Sequence, residues 1–63
     1  MTTTIKFATG MVFTLEGKMY EITSANRYEI RVRNTETGTF GGFTPQNLRP
    51  KFRKGEAVMI QEN

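Results

Sequence analysis

Five short runs along the chain alternate apolar, β-branched or aromatic residues with polar ones: Gly10–Leu15, Met19–Thr23, Tyr28–Asn34, Thr39–Phe43 and Ala57–Gln61. Turn-forming residues separate them at intervals of about 8–12 positions, the spacing of an all-β chain. No long stretch repeats its apolar residues at a helical period. An additional extended piece, Ile5–Phe7, is expected to lead into the first run.

Alternation also selects the turns, because a one-residue slip in pairing turns every side chain to the other face. A two-residue turn at Glu16-Gly17 pairs Leu15 with Lys18, Phe13 with Tyr20 and Met11 with Ile22. That register keeps the large apolar residues together, and Gly17 supplies a positive φ. A three-residue loop, Ala25-Asn26-Arg27, is expected next, with Asn26 in the left-handed region. It would pair Ile22 with Ile30, Tyr20 with Val32 and Glu21 with Arg31. The third turn reads as a four-residue type I loop with Gly38 left-handed, placing Arg33 opposite Phe40 and Ile30 opposite Phe43. Phe43 then faces the core and Phe40 faces out; a bulge at Gly41-Gly42 is the alternative, and it would turn Phe40 inward.

After Phe43, Thr44 can cap a single helical turn with Pro45 at its first position and Leu48 directed inward. Arg49-Pro50 should end it, since the residue before proline avoids helical angles. Phe52 is expected to plug one end of the core. Lys54-Gly55 should turn the chain into a last strand with Val58 and Ile60 inward.

Three meandering hairpin strands, a fourth strand, one helical turn and a closing fifth strand resemble the SH3-like small barrels, which include the Tudor, KOW, Sm-like and chromo-barrel groups. The resemblance spans Gly10 to Gln61 and is architectural. It implies an all-β, small five-stranded SH3-like barrel with one short helical turn before the last strand, filling residues 1–63 as one domain. An OB-like barrel is the second choice; its helix lies between the third and fourth strands. SH3-like barrels bind peptides, RNA, DNA or sister subunits, so the fold alone does not select a partner.

Composition narrows the chemistry. The 63 residues contain no cysteine and no histidine. Disulfides, thiolate nucleophiles, zinc sites built on those ligands and imidazole acid–base catalysis are therefore outside this chain's repertoire. With no paired carboxylates at a recognisable spacing and no glycine-rich phosphate loop before a helix, a non-enzymatic binding module is expected, with no cofactor. Met1-Thr2-Thr3-Thr4 carries no basic, apolar leader and no stretch is long enough for a membrane span. The expectation is a complete small cytoplasmic product of the kind common in phages and mobile elements.

The net charge of +3 is unevenly distributed. Arg49, Lys51, Arg53 and Lys54 fall within six positions around Phe52, with no acidic residue among them. Such a cluster favours anionic partners through counter-ion release, and equally serves as a solubilising connector. If the segment is extended, Lys51 and Arg53 project together opposite the Phe52 ring.

The outer face gives the second candidate. The expected register forms a row Met19–Arg33–Phe40 beside a row Glu21–Arg31–Gly42. An exposed phenylalanine with an arginine alongside and a glycine neighbour suits base stacking, worth about 1–3 kcal/mol per base. The same trio suits a protein interface, where Met, Arg and aromatics are enriched; it is also an ordinary cross-strand packing pair. Asn26 and Arg27, at a hairpin tip, are further candidates. These residues point first to a nucleic-acid-binding accessory or regulatory protein acting on RNA or single-stranded DNA. The alternative is a protein-interaction module docking on a larger partner, and strand edges also leave room for a homo-oligomer.

Overall fold

The computed structural model describes residues 6–61. Five strands are present: β1 (Val12–Leu15), β2 (Lys18–Ala25), β3 (Ile30–Asn34), β4 (Phe40–Phe43) and β5 (Ala57–Gln61), with helix α1 (Pro45–Arg53) before the last. They form one antiparallel sheet in the order β4-β3-β2-β1-β5. Strand number, hairpin order and a helix between the fourth and fifth strands agree with expectation, and the helix position removes the OB alternative. The extended piece foreseen at Ile5–Phe7 is not a strand at Phe7; Ile5 lies outside the described residues. No helix among them is long and apolar enough to cross a membrane.

The first hairpin has the expected register, Leu15 opposite Lys18 and Phe13 opposite Tyr20. Met11 and Ile22 continue it, with the Ile22 N–H donating to the Met11 carbonyl at 2.8 Å. Both turn residues have positive φ, Glu16 at 54° and Gly17 at 81°. This is the type I′ pattern, whose twist matches the strands it joins.

The second hairpin departs from expectation by two residues. Ile22 pairs with Val32, Glu21 with Arg33 and Tyr20 with Asn34. The loop is four residues long, Asn26 to Glu29, because the Asn26 side-chain oxygen accepts from the N–H groups of Tyr28 (2.7 Å) and Glu29 (2.8 Å). Asn26 is not left-handed; its role is this Asx-type turn. Tyr28 consequently leaves the strand and is exposed. A four-residue loop alone would set inward residues against outward ones. A bulge between Ile22 and Ser24 absorbs one residue and returns Ile22 and Val32 to the same, buried face.

The third turn is as expected, with Gly38 at φ 77° and Arg33 opposite Phe40. The Asn34 side-chain oxygen accepts from the N–H groups of Glu36 and Thr37, which fixes the loop.

Helix α1 is longer than the single turn expected and contains Pro50. Thr44 caps it, accepting from the Asn47 N–H at 3.3 Å. Proline at position 50 removes one N–H that would have bonded the Gln46 carbonyl. Packing outweighs that loss. Leu48 is fully buried, and Phe52, one turn later, packs its ring 5.4 Å from that of Phe13. Pro45, Leu48 and Phe52 are spaced i, i+3, i+7, a helical stripe interrupted only by Pro50. At the C-terminus Gly55 (φ 83°) completes a Schellman motif, with Gly55 N–H donating to the Phe52 carbonyl and Glu56 N–H to that of Lys51.

This helix ending sets the phase of β5. Ala57 pairs with Leu15 and Met59 with Phe13, so the inward residues are Ala57 and Met59. Val58 and Ile60, expected inside, are 53% and 56% exposed. The core comprises Met11, Phe13, Leu15, Ile22, Ile30, Val32, Leu48 and Ala57, flanked by half-buried aromatics around Phe13. No polar or charged side chain is buried among the described residues, so polar chemistry belongs to the surface.

Candidate functional site

Pairing arithmetic puts Phe40 outside and Phe43 inside, and the structure agrees: Phe40 is 73% exposed while Phe43 packs on the core. The rest of its expected row is different. Glu21, not Met19, lies in the row with Arg33 and Phe40, and its carboxylate takes the Arg33 guanidinium at 3.0 Å. Met19 lies two residues along β2, opposite Thr14, whose other neighbour is Val58. The two-residue register shift in the second hairpin causes this separation. Arg31 stands opposite Gly42 as expected, but its β2 neighbour is Ser24 rather than Glu21.

Edge strand β4 carries the most open part of this surface. Its outward residues are Phe40 and Gly42, its inward ones Gly41 and Phe43. Two consecutive glycines leave the strand without side chains on either face at its centre. On the outer side, Phe40, Gly42 and Arg31 line a shallow groove of about 360 Å3 with Thr23 and Glu29. Beyond Gly42, Tyr28, Phe43, Thr44 and Asn47 line the next depression. Tyr28, 77% exposed, is the functional candidate that alternation missed. The signal was present in Asn26, whose Asx turn takes Tyr28 off the strand. Phe43 and Asn47 then border a third depression holding Lys51, Lys54 and Glu56. A continuous track therefore follows β4 from Phe40 past Tyr28 to Lys51 of α1 and Lys54 just after it.

The basic cluster does not project as one unit. It was expected extended, with Lys51 and Arg53 together; in a helix these two diverge by about 200°. Arg49 and Arg53 share one side at i, i+4, and Lys51 and Lys54 another at i, i+3. The Arg49 guanidinium lies 5.8 Å from the centre of the Phe7 ring, a cation–π contact. Lys51 approaches Glu56 at 3.9 Å. Lys51 and Arg53 also fall in the last helical turn, where positive charge complements the helix dipole. Lys54, the residue after α1, is exposed and faces the third depression with Lys51.

Ion pairing partly neutralises the track. Arg31 bonds Glu29 at 3.1 Å and Arg33 bonds Glu21 at 3.0 Å. All four side chains are more than a third exposed, so each pair contributes at most about 1 kcal/mol and exchanges readily with an external anion.

No family model, curated protein or solved structure matches this chain.

Proposed function

We propose that this chain is a non-enzymatic nucleic-acid-binding module that takes an unpaired strand of RNA or DNA along β4. One observation carries the reading: two aromatic side chains, Phe40 and Tyr28, are 73% and 77% exposed at opposite ends of a strand whose centre is only glycine. Exposed aromatic faces beside a bare backbone offer successive stacking platforms without steric interruption. Phe40 and Gly42 are two residues apart, about 7 Å along a strand. Lys51 and Lys54 at one end and Arg31 on the outer side supply charge for phosphates.

The test is fluorescence anisotropy with labelled single-stranded oligo-dT and oligo-U at low and high salt. Affinity should fall steeply with salt. Replacement of Phe40 or Tyr28 by Ala should weaken binding about fivefold or more. The triple change Lys51→Glu, Arg53→Glu, Lys54→Glu should also weaken it. No binding at low salt, or full binding by the triple variant, would sink the proposal.

A second reading, docking on a larger protein partner, is favoured by the position of β4 as an edge strand among the described residues and by the mixed charges of the Glu21–Arg33 and Glu29–Arg31 pairs. A partner strand could extend the sheet there. Capture from lysate that survives both nuclease and high salt, and is lost in Phe40→Ala, would select it.

A further inference from the structure

On the inner side of β4, next to Phe40, an open groove of about 420 Å3 runs beside the core. It exists because Gly41 faces inward opposite Val32 and carries no side chain. A Cβ at Gly41 would meet only Val32 Cγ2, at 3.9 Å, an ordinary contact distance. Gly41 is not among the glycines with positive φ. Neither crowding nor backbone conformation therefore requires glycine at this position, and any larger residue would fill the groove.

Three aromatic residues, Tyr20, Phe40 and Phe43, line the groove, and the Tyr20 and Phe43 rings have centroids 6.0 Å apart and planes at 85°. Asn34 and Thr39 add polar groups. The Asn34 carbonyl oxygen is already used by the loop, whereas its NH2 group has no hydrogen-bond partner among the described residues. Lys18 is the one charged residue lining the groove, and it makes no ion pair among the described residues.

We infer that this groove is a pocket for one unpaired nucleobase of a single-stranded nucleic acid. The base rests against Tyr20, its polar edge meets Asn34 and Thr39, and the adjoining phosphate meets Lys18. The inference rests on the proposed function and adds a site to it. Charge and chemistry select this occupant: an apolar peptide side chain would bring neither an anion for Lys18 nor an acceptor for the Asn34 amide. A base held in a duplex is stacked and paired, and cannot enter.

The chain has two tyrosines and no tryptophan, so a Tyr28→Phe variant leaves Tyr20 as its only tyrosine fluorophore. Titration of that protein with single-stranded oligo-dT should quench Tyr20 emission. Adding Gly41→Val should abolish the quenching and weaken binding about tenfold, as measured by anisotropy. Valine suits a strand, so the melting temperature should not fall. Lys18→Gln, at an exposed position, should weaken binding severalfold without filling the groove. The same oligonucleotide annealed to its complement should bind at least about tenfold more weakly.

Binding unchanged in Gly41→Val, binding without Tyr20 quenching, or equal affinity for duplex would each overturn the pocket. If Phe40→Ala loses binding while Gly41→Val does not, the pocket fails and the proposed function stands. If the unaltered protein binds no oligonucleotide, the proposed function itself fails.

Discussion

Strands β4 and β5 are the two edges of one sheet, yet they are built differently. Helix α1 lies against β5, whose inward residues are the small Ala57 and the flexible Met59. At β4, depressions open between Phe43 and the helix, and the centre of the strand is two glycines. Thus β5 is an edge closed by packing and β4 an edge left open. Exposed apolar surface occurs at both, and on β4 it borders grooves lined by cations. In so small a domain, where nearly every large residue is needed inside, a bare strand with one exposed aromatic on it and another beside it is the ground for the binding surface proposed above.

The comparison can be broken most severely at Phe13. Its fully buried ring touches Phe43 of β4 and Phe52 of α1, so it serves both edges. Phe13→Ala should cost about 3–5 kcal/mol in urea unfolding and leave little folded protein. Leu48→Ala should cost about 2–5 kcal/mol and act on the helix side first. Hydrogen exchange should then accelerate in β5 before it does at the Val32–Gly41 pairing. Equal acceleration at both edges would show that α1 supports them alike. Phe40→Ala, despite its expected effect on binding, should change stability by no more than about 0.5 kcal/mol. Val58→Thr should be the mildest, also within about 0.5 kcal/mol; a loss several times larger would place Val58 inside after all.

Where the sequence carried an unambiguous parity signal, the fold was legible in it. Glu16-Gly17 and the Asn34-to-Thr39 loop leave one turn length each that keeps large apolar residues on one face, and both registers followed. The second hairpin was not legible, because the Asx turn at Asn26 and the bulge after Ile22 shift pairing by two residues while keeping Tyr20, Ile22, Ile30 and Val32 on the inner face. Alternation cannot detect a shift of two. It still placed Phe40 and Arg33 outside, but it put Met19 in their row and left Tyr28 in a strand. The β5 error had another origin. Pro50 argues locally for a stop, but the Leu48–Phe52 spacing supports another helical turn, and that turn changes which of Ala57 and Val58 meets the core. The charged cluster around Phe52 suffered from the same misreading: a helix splits cations that a strand would align.

The bulge between Ile22 and Ser24 also bears on how this chain can change length. Loop and bulge each contribute one odd residue, and the two cancel. Deleting a residue from the Asn26–Glu29 loop need not invert a strand, because straightening the bulge restores the parity. A one-residue deletion in this hairpin is thus buffered by the sheet itself. Tyr28 can thus change its place along the loop by one residue while the interior beneath it stays the same.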